Sequence, residues 1–232
     1  MAITATNLAA AHDTTNRTST AYTTASISFV KGRTYMLTIR GRTATIAPSI
    51  GTLTGGGNTW LLLETVNLSN VTQWLYYCVA GVTTSGAISI TPDGITTWTQ
   101  GGWIVDEFTN TAASPIVQSD QNSNADSHSE LTVTLAAFAG TNNVTYGAFS
   151  QNEDTAITAG SGFADLGATS EAAENANRIK SIWRRGADTT VDVTTATTTA
   201  DVFGVAAEIA VGDVEPAAFF PINAQRGNIW YR

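Results

Sequence analysis

An all-β chain, folded as an antiparallel, jelly-roll-like β-sandwich of ten to twelve strands with little helix, is what the sequence predicts from three observations. Apolar and polar residues alternate with a period of two in one segment after another. Of the 232 residues, 39 are Thr and 20 are Gly, while 13% are charged, against a usual charged share of roughly 25%. Thr is β-branched and suits a pleated, half-solvated face, whereas long helices expose Glu, Lys and Arg. Turn signals recur at short spacing: Lys31-Gly32, Gly55-Gly56-Gly57-Asn58, Pro92-Asp93-Gly94, Gly101-Gly102, Gly140-Thr141-Asn142-Asn143 and Arg185-Gly186.

Along the chain, Ala25, Ile27 and Phe29 alternate with Thr24, Ser26 and Ser28, and Tyr35, Leu37 and Ile39 alternate with Thr34, Met36 and Thr38. Leu131, Val133 and Leu135 alternate with Thr132 and Thr134. Each of these segments reads as a strand with one face inward and one in water. Residues 60–63, 74–80, 103–108 and 202–209 carry apolar residues on both faces and read as central strands covered on both sides. Arg178 to Arg185 alternates as well and is expected to be a strand. The predicted core is Phe29, Leu37, Trp60, Leu62, Trp74, Tyr76, Trp103 and Val105, together with Leu131, Val133 and Leu135. Three segments follow: an N-terminal arm over 1–20, too poor in apolar residues to fold alone, a sandwich over 21–212, and a docking segment over 213–232 that carries Phe219, Phe220, Trp230 and Tyr231.

Charge and composition exclude several functions. A net charge of −8 argues against a specific nucleic-acid binder, which needs a broad cationic surface. No apolar run approaches a membrane span, and no export signal is expected at the start of the chain. The single cysteine, Cys78, cannot form an intrachain disulfide and reads as a small buried hydrophobe. The two histidines, His12 and His128, fall in no zinc pattern.

No catalytic motif stands out, so the chain is expected not to be an enzyme and to need no cofactor. Asp106 and Glu107 are neighbours on one strand and must point to opposite faces, so they cannot form a glycosidase pair by themselves. The run Asp120-Gln-Asn122-Ser-Asn124-Ala-Asp126-Ser-His128 imitates the start of a calcium loop, but Ala125 replaces the turn glycine and Leu131 the last ligand. A looser calcium site at Asp120, Asn122, Asn124 and Asp126 is the alternative. Among the six Trp residues, Trp98 is the candidate for an exposed, sugar-stacking ring.

Charge is also segregated. Arg17, Lys31, Arg33, Arg40 and Arg42 lie in a stretch without acids, and twelve acids lie between Glu64 and Glu174 in a stretch without Lys or Arg. Two electrostatically different surfaces are therefore expected, with Lys31, Arg33, Arg40 and Arg42 facing an acidic partner. The candidate contact residues are these four and the aromatic group Phe219, Phe220, Trp230 and Tyr231.

The middle of the chain, over about 100–210, resembles a loose family of tailed-phage virion proteins and their prophage copies. The residues that carry the resemblance are Trp103-Ile-Val-Asp-Glu-Phe-Thr-Asn, Ala113-Ser-Pro-Ile-Val-Gln-Ser-Asp-Gln-Asn-Ser, Leu131-Thr-Val-Thr-Leu-Ala-Ala-Phe, Asn143-Val-Thr-Tyr-Gly-Ala-Phe, Gly160-Ser-Gly-Phe-Ala-Asp-Leu-Gly, Asp188-Thr-Thr-Val-Asp-Val and Ala206-Ala-Glu-Ile. The resemblance implies a jelly-roll-like sandwich placed on a phage particle, with no functional residues to carry over. The expected function is that of a capsid decoration or cement protein in the virion, binding the major capsid protein or tail and neck proteins as a homo-oligomer, a trimer by expectation. The alternative is a receptor- or carbohydrate-binding module of the tail, neck or fibre, in which case a glycan is the ligand.

Overall fold

In the computed structural model, residues 2–125, 129–171, 177–196 and 201–212 are described, and among them eighteen strands and no helix are found. The strands are β1 (Thr4–Asp13), β2 (Tyr22–Thr23), β3 (Ile27–Phe29), β4 (Thr34–Thr43), β5 (Ile50–Gly55), β6 (Leu61–Leu68), β7 (Val71–Val79), β8 (Thr84–Gly86), β9 (Ile88–Pro92) and β10 (Trp98–Thr109). After Asn110 come β11 (Thr111–Asn124), β12 (Glu130–Thr134), β13 (Val144–Gln151), β14 (Ile157–Ala159), β15 (Ala164–Glu171), β16 (Asn177–Arg185), β17 (Thr190–Thr195) and β18 (Val202–Val211). The pairing is antiparallel throughout.

The strand order repeats. One five-stranded sheet runs β1-β10-β4-β7-β6 and a second runs β11-β18-β13-β16-β15. The three-stranded sheets run β2-β9-β5 and β12-β17-β14. With the short β3–β8 pair set aside, each half has eight strands. Both large sheets then read 1-8-3-6-5 and both small ones 2-7-4. This is jelly-roll order, with the fifth strand moved to the end of the larger sheet. The chain is thus two jelly rolls in tandem, joined at Asn110, which takes the left-handed conformation (φ 59°) that Asn tolerates.

Four layers stack on three cores. Tyr35, Leu37, Ile39, Trp74, Trp103 and Val105 of the first large sheet meet Tyr22, Phe29, Ile88 and Ile90 of its outer strands. Met36, Leu75 and Phe108, on the opposite face of that sheet, meet Tyr146, Ala148, Phe203 and Val205 of the second large sheet. Phe149, Ile182 and Ala206 meet Leu131, Val133 and Val191 of the last layer. The halves therefore pack through their large sheets, β1 against β15 and β6 against β11.

Several expectations change. Among the described residues there are eighteen strands rather than ten to twelve, in part because β2, β8 and β14 are only two or three residues long and carry no readable period. The expected arm over 1–20 supplies β1, paired with β10, and Ile3 is buried. The expected single sandwich over 21–212 is two units meeting at residue 110. β4 is buried on both faces, because its Met36/Thr38 face lies against the second unit. Leu62, predicted as core, is 52% exposed on edge strand β6, and Trp60 and Tyr76 are only partly buried. The other predicted core residues are buried.

Candidate functional site

The most elaborate chemistry lies in the seam between the two large sheets. The strand faces that meet there mix apolar residues with Asn, Gln, Ser, Thr and Tyr, so hydrogen bonds join the halves. Asn7 donates to Asp106 Oδ1 (2.9 Å) and Tyr146 OH donates to Asp106 Oδ2 (3.0 Å), while Thr38 and Tyr146 share a hydroxyl bond of 3.2 Å. Gln73 Nε2 donates to the carbonyl of Ala148 (2.8 Å), and Ser150 donates to Gln73 Oε1. His12 Nδ1 lies 2.8 Å from Thr169 Oγ1. At Gly167 a Cβ would come within 2.4 Å of the Asn7 amide, so the edge strands β1 and β15 approach closely only because residue 167 has no side chain.

The seam's charged residues sit in unusual states. Burial pushes the Asp106 carboxyl up to about 6, against the pull of its hydrogen bonds with Asn7, Ser181 and Tyr146. Burial, then the nearby Arg40 cation, holds His12 down at about 4, so its ring is neutral at pH 7. Arg40 is fully buried and donates to Gln100 Oε1 (3.3 Å) and to Asn152 Oδ1. Asn152 in turn donates to Asp201 Oδ2 (2.8 Å). The guanidinium also sits 5.9 Å from the centre of the Phe203 ring. The Arg40 charge is thus balanced through an amide relay within the same chain, and the whole arrangement works as an adhesive between the two jelly rolls.

This placement corrects the expected cationic surface. Arg40 faces the second unit and is closed to any partner. Arg33 pairs with Glu107 (2.8 Å), which also accepts from Tyr35 OH (2.8 Å). Lys31 is exposed in the turn before β4, while Arg42 is half-buried near the far end of that strand, so the four do not form one patch. Phe219, Phe220, Trp230 and Tyr231 lie outside the described residues, as do Asp126 and His128.

The calcium alternative meets a strand where it needed a loop. Asp120, Asn122 and Asn124 belong to β11. The amides of Asn122, Asn124 and Gln118 donate to the carbonyls of Thr132 (2.8 Å), Glu130 (3.2 Å) and Ala136 (3.1 Å). This amide ladder satisfies the free side of β12. Among the described residues, no group of three or more His, Cys, Asp and Glu side chains is placed to hold a metal ion.

Trp98, the candidate exposed ring, is fully buried. It stacks on Trp74 with centroids 5.4 Å apart and planes 4° apart. It fits because residue 41 is glycine; a Cβ there would lie 2.7 Å from the indole. The Thr-rich segment around Trp98 hid this, and the signal was Gly41 on the neighbouring strand β4, far along the chain.

A shallow cleft of about 270 Å³ lies where β6 and β7 approach the start of β11, lined by Leu61, Tyr77, Cys78, Ala113, Ser114 and Pro115. The β11 register shifts between Thr111 and Ile116, and the resulting bulge forms one wall. Burial pushes the Cys78 thiol up to about 12, which keeps it protonated and a poor nucleophile. Sequence reasoning missed both the seam and the cleft. In sequence the repeat of strand order is matched by Val105-Asp-Glu-Phe in β10 against Ala206-Ala-Glu-Ile in β18.

No protein family, no curated protein and no solved structure matches this chain.

Proposed function

We propose that this protein is a non-enzymatic structural component of a phage particle, a capsid decoration or cement protein that works by binding other virion proteins. The observation that carries the reading is the polar seam. Asp106, His12, Arg40, Gln73 and Tyr146 are spent on locking two jelly rolls into one block, with side chains filling all three cores. A rigid block with a charge-poor exterior suits a building element held by its surface. The sequence resemblance over 100–210 points the same way. The carbohydrate-binding alternative loses its best platform, because the Trp98 ring is packed inside.

The test is to add labelled recombinant protein to purified particles that lack it. Saturable binding, unaffected by competing sugars, supports the reading. Binding that only a glycan competes away, or none at all, refutes it.

A further inference from the structure

The β6 edge carries leucines that the fold does not require. Leu61 and Leu62 are 48% and 52% exposed, opposite Tyr77 and Tyr76 of β7. The register-equivalent positions of the second unit, opposite Trp183 and Ile182 of β16, hold Ala164 and Asp165. Asp165 pairs with Lys180 at 2.8 Å and is well solvated. One jelly roll thus closes this edge with a small and a charged residue, and the other leaves two large apolar side chains in water, Leu61 in the cleft and Leu62 on the other face of the strand. Exposed apolar edge strands favour association.

The described chain leaves the molecule at the same place. Val211 pairs with Thr111, and the Gly212 N–H donates to the Asn110 carbonyl (2.8 Å), two to three residues from the Ala113 wall of the cleft. Residues 213–232, with Phe219, Phe220, Trp230 and Tyr231, therefore begin at its rim. Because β18 is antiparallel to β11, the chain at Gly212 is running past the start of β11, whereas the molecule's own cleft lies back along β11.

We propose that this cleft and the β6 edge receive the 213–232 segment of a second copy, with Phe219 and Phe220 against Leu61 and the Ala113–Pro115 wall. The inference rests on the reading of the protein as one that acts through protein contacts, and it names the first partner. Root and receptor lie at one end of each molecule, so two copies exchange segments reciprocally around a two-fold axis and the contact closes at a dimer rather than a trimer. Seven residues from Gly212 reach at most about 25 Å, enough to cross to a facing copy.

Sedimentation of the full-length protein tests this, with two double variants, Phe219→Ser/Phe220→Ser and Leu61→Ser/Leu62→Ser. We expect a dimer that either pair weakens at least about tenfold, while the leucine pair, being exposed, leaves the melting midpoint unchanged at dilutions where all forms are monomeric. Combining the pairs should weaken it little further, since both remove one contact. A dimer indifferent to both pairs, or a trimer, overturns the proposal. So does a monomer, which has no second copy to receive the segment. Particle binding is measured separately on the dimer. Its absence from an intact dimer counts against the virion reading and leaves the exchange standing.

Discussion

Glu107 and Glu208 occupy the same register position in the two halves of the chain. Glu107 of β10 lies opposite Tyr35, the second residue of β4, and Glu208 of β18 lies opposite Thr145, the second residue of β13. Both are buried at the end of the eighth strand of their unit, and their partners differ. Glu107 holds Arg33 and the Tyr35 hydroxyl. Glu208 accepts from Gln118 Nε2 (2.6 Å), from Asn143 Nδ2 and from the Ala139 N–H (3.1 Å). A buried carboxylate at this place is the most durable trace of the repeat.

The difference in partners sets a difference in cost. Glu208→Ala strands a buried Asn143 amide and two further donors, and should cost about 3 kcal/mol. Glu107→Ala strands one buried donor, the Tyr35 hydroxyl, because Arg33 is already 40% exposed and can rehydrate, so it should cost about half as much. Urea denaturation of the two variants measures both, and equal losses would show that the positions are not held as described.

The seam also fixes the response to acid. The folded-state pKa of His12, about 4, lies below its ordinary 6.5, so its contribution is present above pH 6.5 and is lost as pH falls towards 4. That of Asp106, about 6, lies above its ordinary 3.8, so its contribution is present below 3.8 and is lost as pH rises through 6. Each amounts to about 3 kcal/mol at 1.36 kcal/mol per pKa unit, with opposite sign. Stability between pH 4 and 6.5 should therefore be nearly flat in the native chain. His12→Gln should become more stable on acidification over this window and Asp106→Asn less stable, as thermal melts across the range would show.

Gly41→Ala tests the burial of Trp98. The new methyl meets the indole at 2.7 Å, so the Trp74–Trp98 stack must shift, at a cost of about 1–3 kcal/mol. Near-ultraviolet circular dichroism should change along with the melting midpoint. A variant unchanged in both would mean that Trp98 is not packed on Gly41.

Trp103→Ala should cost about 3–5 kcal/mol, because the ring lies in the outer core of the first unit with Leu37 and Val105. An unchanged midpoint in differential scanning calorimetry would mark it as a surface ring.

The all-β class was legible because period-two alternation and turn residues are local signals. Leu131, Val133 and Leu135 show it well, sharing one buried face at the end of the second unit. The four-layer stack was not legible. Whether the even-numbered residues of β4 meet water or a second sheet depends on residues 146–205, and nothing near Thr38 or Arg40 declares it. Arg40 looked like a surface cation because its balancing group, Asp201, lies far along the chain and acts through Asn152. Asn122 and Asn124 looked like ligands because amides that bridge a strand edge have the same composition as amides that hold calcium. The repeat escaped notice because its two halves keep strand order and little sequence.

The most direct test of the proposed virion role is the number of copies of this chain in purified, nuclease-treated phage particles released by cells that carry its gene, by quantitative mass spectrometry. A structural role predicts a fixed copy number that is a multiple of a symmetry of the head, neck or tail and does not change with further purification. Absence from the particle, or a variable trace that washes away, would contradict it.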